Sequence, residues 1–172
     1  LFDHKNENFA GSFGTSVSSK LIDSTKNSDL IIVLGARLGE MTTQGYSIIS
    51  PQDISKNIMH IHVDPNELNK VYNANVCINV GVNECCDKLE ELTLDNSNRW
   101  KQWRNELNKN YLEDTKPQKN RNLNNLSEIF EIVEKNFPTN SIITLDAGNN
   151  AAWPQRFLSF GKNRRQIALS LI

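Results

Sequence analysis

The chain has 172 residues, of which 38% are hydrophobic, and a formal net charge of −1. Such a charge gives no electrostatic pull toward nucleic acid or an anionic membrane, and no apolar run approaches the roughly 20 residues that a spanning helix needs. The length suits one domain, or one domain plus part of another.

Leu1-Phe2-Asp3-His4 carries no signal-peptide pattern and reads as the interior of a longer chain. Gly14-Thr15 opens a helical pattern through Val17, Leu21 and Ile22 that ends near Asn27. The unbroken apolar run from Leu30 to Leu34 reads as a strand of a parallel sheet, buried on both faces. It drops directly into Gly35-Ala36-Arg37. In such sheets ligands bind outside the carboxyl ends of the strands. Gly35 and Gly39 let the backbone approach a ligand there, and Arg37 can face an anionic group. This is the outline of a nucleotide or phosphate site.

A long loop follows to about Lys56, then a second strand over 58–63 that ends at Asp64-Pro65. Asp64 suits the N-cap of a short helical turn with Pro65 at its first position. A third strand spans 76–80, Gly81 punctuates it, and 82–92 is an amphipathic helix with Val82, Cys85, Cys86, Leu89 and Leu92 at helical spacing. The order predicts an α/β fold, half of a doubly wound, Rossmann-like parallel sheet. Cys77, Cys85 and Cys86 lack metal-ligand spacing and read as reduced thiols filling a core, which points to the cytoplasm. His4, His60 and His62 show no ligand spacing on a helix.

Trp100, Trp103, Leu107 and Tyr111 form an aromatic stripe at helical spacing, read as a packing face. The polar stretch 114–125, with Pro117 and the basic residues Lys116, Lys119 and Arg121, reads as an interdomain linker whose charges are solvated. Beyond it, Leu126, Ile129, Phe130, Val133 and Phe137 mark a helix that Pro138 stops. A second apolar strand over 142–145 runs into Asp146-Ala147-Gly148-Asn149-Asn150 and a helix carrying Trp153, Phe157 and Leu158. The repeated strand–Gly loop–helix design predicts a second α/β domain.

Four segments carry a resemblance, in order along the chain. They are Phe9-Ala10-Gly11-Ser12-Phe13-Gly14-Thr15, 28–38, His60-Ile61-His62-Val63-Asp64-Pro65-Asn66-Glu67-Leu68, and 146–157. Together they resemble thiamine-diphosphate-dependent enzymes, most closely the large subunit of the acetolactate-synthase-like group. The resemblance implies a central domain over 1–94, N-terminally truncated. It further implies a helix and interdomain linker over 95–125, and the start of a thiamine-diphosphate-binding domain over 126–172. The implied reaction decarboxylates a 2-oxo acid such as pyruvate and condenses it with a second 2-oxo acid, using thiamine diphosphate and Mg2+. The implied assembly is a homodimer or homotetramer of full-length subunits, with neither nucleic acid nor membrane as partner.

The family's catalytic glutamate and its Gly-Asp-Gly…Asn motif have no counterpart in this sequence, so no catalytic or metal-ligating residue is assigned. In members that carry FAD, the positions matching its seat are Gly11, Gly14, Gly35, Arg37 and Asp64. Many of those members continue with Asp-Asp-Arg, whereas this chain reads Gly39-Glu40-Met41-Thr42-Thr43. The plainer roles are a structural ion pair for Arg37 and a helix cap for Asp64. Gly148, Asn149 and Asn150 match the family's loop near the cofactor's phosphates, or alternatively cap the following helix. Leu169-Ser170-Leu171-Ile172 departs from the Ser/Gly-rich turn usual in the family. Rival readings are another thiamine-diphosphate decarboxylase or oxidase, a stand-alone FAD, ADP or NAD module, and a non-catalytic remnant.

Overall fold

Three strands form where the apolar runs fall: β1 (Leu30–Leu34), β2 (Asn57–His62) and β3 (Val76–Asn79). They lie in the order β1-β2-β3 and all run parallel, with Ile32 opposite Met59 and Met59 opposite Val76. The computed structural model describes residues 2–14, 16–53, 55–93, 98–117, 125–146 and 148–168. The chain divides into two compact units. The three-stranded unit holds Phe13–Thr15 and Ile22–Trp100; the other holds Leu1–Ser12, Ser16–Leu21 and Lys101–Ile172.

The architecture is mixed α/β with a parallel, Rossmann-like sheet. α1 (Ser19–Lys26) precedes β1, and α2 (Val82–Glu90) follows β3. α1 begins later than the periodicity predicts: Gly14 takes φ +141°, and Val17 and Ser18 are not helical. The core of this unit is Val33, Ile48, Ile49, Ile58 and Tyr72, flanked by Ile22, Ile31, Leu38 and Ala74. Ile48 and Ile49 come from the long loop after β1, which therefore serves as the layer packed on the sheet. Tyr72 Oη donates to the Ile49 carbonyl at 2.9 Å and pins that loop.

Two expectations need correction here. β1 is not buried on both faces: Ile31 and Val33 are covered, but Leu30 is 47% and Ile32 59% exposed. That face is open at Leu30 and Ile32 and closes toward its carboxyl end, where Leu34 is half-buried and its neighbour Ile61 is buried. Nor do the cysteines fill a core; Cys77 is exposed and Cys85 and Cys86 are half-buried. Cys77 sits on β3, a sheet-edge strand whose four residues are all exposed, and α2 buries none of its side chains.

The other unit contains α3 (Lys101–Asp114), α4 (Leu126–Asn136), β4 (Ile142–Leu145), α5 (Ala152–Phe157) and β5 (Arg165–Ala168). β4 and β5 pair in parallel, with Ile143 opposite Gln166. The periodicity did not reveal β5, since Arg165-Gln166-Ile167-Ala168 has no apolar run, and pairing with β4 makes it a strand. Its core is aromatic: Tyr111 meets Phe9 edge-on at 4.8 Å, and His4 stacks on Phe9 at 4.1 Å. Arg164, 5% exposed, bonds Glu134 and donates to the Phe137 carbonyl at 3.0 Å, closing the end of α4. Of the aromatic stripe, Leu107 and Tyr111 are half-buried while Trp100 and Trp103 are exposed. Lys119, Arg121 and most of the predicted linker lie outside the described residues, as do Leu169, Ser170, Leu171 and Ile172.

Candidate nucleotide seat at the carboxyl edge of the parallel sheet

Because β1, β2 and β3 run in one direction, their carboxyl ends share one edge, and the residues just beyond them share it too. Gly35 donates its N–H to the Ile61 carbonyl at 2.8 Å, the last rung between β1 and β2. There the backbone turns with φ +68°, a conformation that costs an L side chain about 1–2 kcal/mol. A Cβ at this position would fall well inside 3.0 Å of Val82 Cγ2, in the first turn of α2. Gly35 therefore serves close packing as much as ligand approach.

Arg37 projects from this turn with its side chain 71% exposed, and its Nε lies 3.7 Å from Glu67 Oε1. Glu67 is also bonded by Lys70 Nζ at 2.9 Å, which holds its carboxyl below the usual range. The contact is long and reaches only Nε, and the Arg37 end of it is exposed, so the guanidinium remains open to a ligand. At the end of β2, Asp64 caps the 3₁₀ turn Pro65–Glu67. Its Oδ1 accepts from the Asn66 backbone N–H at 3.0 Å and from Asn66 Nδ2 at 2.9 Å. These bonds to Asn66 hold the Asp64 carboxyl below its ordinary value, and Arg37 adds to the effect. Both bonds use Oδ1, so Oδ2 is left to accept from a ligand hydroxyl.

Both plainer roles, the ion pair and the cap, are thus present without consuming either group. An exposed guanidinium and a carboxylate oxygen at neighbouring strand ends fit a ribose-phosphate. At the start of α2, the Glu84 carboxylate folds back against Gly81, the N-cap. A carboxylate there satisfies the helix dipole and leaves Arg37 to meet a phosphate.

Several contributors were missed from the sequence. Gln44 Nε2 donates to the Gly14 carbonyl and so ties residues 39–46 to the glycine loop. Gln44, Gly45 and Tyr46 take φ +52°, +64° and +62°, a left-handed turn that only the glycine adopts without cost. His60 and His62 are buried on β2 and bond the loops on either side. No signal short of the fold marks these residues. A Cβ added at Gly14 would meet nothing within 4 Å, so its loop borders open space. Gly11 belongs to the other unit, where an added Cβ would lie 3.2 Å from Leu21 Cδ2.

The sequence matches the family model described as thiamine pyrophosphate enzyme, central domain, over residues 1–89, just over half of the chain. The chain belongs to the thiamine pyrophosphate enzymes. Among curated proteins none matches it. The matched residues include the sequence positions Gly11, Gly14, Gly35, Arg37 and Asp64.

The remaining positions matched to the family lie in the other unit, after β4. Gly148 takes φ +142° and its carbonyl accepts from the Ala151 N–H at 3.1 Å. Asn149 and Asn150 lie in the 3₁₀ turn Asn149–Ala151, and the Asn149 side chain is outside the described residues. The N-cap of α5 is Ala151, which makes no side-chain capping bond. A cavity of about 50 Å³ in the same unit is lined by His4, Ser16, Ser18, Asp114 and Arg156. It admits water-sized groups and is far below the roughly 300 Å³ of small-molecule sites. Among the described residues no cluster of His, Cys, Asp or Glu could hold a metal ion, and no helix is long and apolar enough to cross a membrane.

Proposed function

We propose that this thiamine pyrophosphate enzyme is of the acetolactate-synthase type, decarboxylating a 2-oxo acid such as pyruvate and condensing it with a second 2-oxo acid. In this reading residues 1–94 are the central domain and 126–172 open the diphosphate-binding domain. Thiamine diphosphate, held with Mg2+, supplies the electron sink that the decarboxylation requires. The four segments in family order support the reading, and the family match supports its coarser part. Gly148, Asn149 and Asn150 would lie by the cofactor's phosphates.

The central domain's own task, in this account, is to hold a nucleotide at the edge of its sheet. The single observation that carries this is Arg37 and Asp64 Oδ2 standing at adjacent strand ends with capacity to spare. Arg37 would face the phosphates of FAD or ADP, and Asp64 would accept from the ribose hydroxyls. The full-length subunit would act as a homodimer or homotetramer in the cytoplasm.

The reaction is tested by expressing the complete coding region and supplying pyruvate, thiamine diphosphate and Mg2+. Carbon dioxide release with stoichiometric acetolactate supports the proposal. Release without a condensed product places the enzyme among the decarboxylases or oxidases, and neither product overturns the catalytic reading. Flavin absorbance of the purified protein distinguishes FAD from ADP as the occupant of the seat.

A further inference from the structure

Two imidazoles share the covered face of β2, two residues apart and so on one side of the strand. His60 is 3% and His62 7% exposed, and their ring centroids lie 6.0 Å apart. A buried polar ring costs stability unless it is bonded, and each of these rings bonds a different loop of the seat. His60 Nε2 lies 3.0 Å from the Ala36 carbonyl, next to Arg37. A carbonyl only accepts, so this nitrogen carries the proton. The Asp64 backbone N–H donates to His62 Nδ1 at 3.0 Å. The Asp64 carbonyl lies 3.2 Å from the same nitrogen, so Nδ1 meets the Asp64 backbone in either tautomer.

From this we infer that His60 and His62 are positioning residues of the nucleotide seat, His60 holding the turn that carries Arg37 and His62 holding Asp64. The inference rests on the nucleotide reading above. Asn79, on β3, supports the same edge by donating from Nδ2 to the His62 carbonyl at 2.9 Å and the Val63 carbonyl at 2.8 Å. Leucine in place of either histidine would fill much of the volume. It would also leave the Ala36 carbonyl or the Asp64 N–H without the partner it has now. The need is for a nitrogen of the right kind at each place, not for bulk.

The test uses the whole chain with ADP as the calorimetric probe, in the variants His60→Gln, His60→Leu, His62→Asn and His62→Leu. Gln supplies a donor near the His60 Nε2 position, and Asn an acceptor near the His62 Nδ1 position. The Gln and Asn variants are expected to bind within about twofold of the parent, and each Leu variant about tenfold more weakly. Amide exchange at Arg37 should quicken in His60→Leu, and at Asp64 in His62→Leu, with recovery in Gln and Asn. Ring nitrogen shifts of the unsubstituted protein should report a protonated Nε2 in His60, which needs no variant to fold.

Leu variants that bind and exchange like the parent overturn the inference. So do Gln and Asn variants as weak as the Leu ones, or a His60 ring whose Nε2 carries no proton. A parent chain that binds no ADP overturns the nucleotide reading instead. Exchange and tautomer data then decide whether the two rings hold their loops.

Discussion

Replacing Gly35 with alanine perturbs two things that the structure separates. The first is backbone: at φ +68° an alanine is strained by about 1–2 kcal/mol, partly offset by the smaller conformational freedom it has when unfolded. The second is packing, since the new Cβ would fall well inside 3.0 Å of Val82 Cγ2. Val82 is β-branched and in the first turn of α2, so its χ1 cannot swing away freely. Overpacking of this kind costs about 1–3 kcal/mol. The net loss is about 3 kcal/mol, or a fall of about 1.5 M in the urea midpoint for a slope near 2 kcal/mol/M. Amide exchange in β1 and β2 makes the readout specific to this unit. Val82→Ala alone should cost under about 1 kcal/mol, because Val82 is 42% exposed. In the double variant only Val82 Cβ remains near the new methyl, at 3.8 Å, so the packing part should be recovered. A single variant within about 0.5 kcal/mol of the parent, or a double variant no better than the single, would refute the reasoning.

Other outcomes follow from the same contacts. Arg164→Met removes a 5%-exposed guanidinium from Glu134 and the end of α4, and should destabilise its unit by about 3 kcal/mol in denaturant titration. Tyr72→Phe deletes the bond to the Ile49 carbonyl and should cost about 1 kcal/mol, with faster amide exchange near Ile48 and Ile49. Burial holds the His4 imidazole below its ordinary 6.5, so the unfolded chain takes up a proton that the folded chain refuses. Stability of that unit should therefore be level above about pH 6.5 and fall as the pH drops below it. Denaturant midpoints between about pH 7 and about pH 5 should fall more for the parent than for His4→Phe. Burial also pushes the Tyr111 hydroxyl up to about 12 from 10.0, so stability should fall again above about pH 10.

What the sequence discloses is the part set by local pattern. β1 and β2 are apolar runs bounded by Gly35 and Pro65, and both form within a residue of their predicted limits. The Asp64 cap is likewise local, with Pro65 and Asn66 beside it. What stays hidden is set by long-range packing. Ile48 and Ile49 sit in a segment without periodicity, and their burial arises only when the loop folds back on the sheet. His60 and His62 show no metal spacing in the sequence, and their partners are backbone groups of two loops. The outward face of β1 misleads in the other direction: Leu30-Ile31-Ile32-Val33-Leu34 promises cover on both sides, yet Leu30 and Ile32 stay exposed.

The central claim, that Arg37 and Asp64 grip a ribose-phosphate at the edge of the sheet, is tested most directly by titrating the chain with ADP and comparing Arg37→Gln and Asp64→Ala. The account predicts saturable binding that weakens with added salt and falls about tenfold in Arg37→Gln. Asp64→Ala should also weaken it, and separately lower stability by about 1 kcal/mol through loss of the cap. Binding that is equal in all three proteins, or absent from the parent, would contradict it.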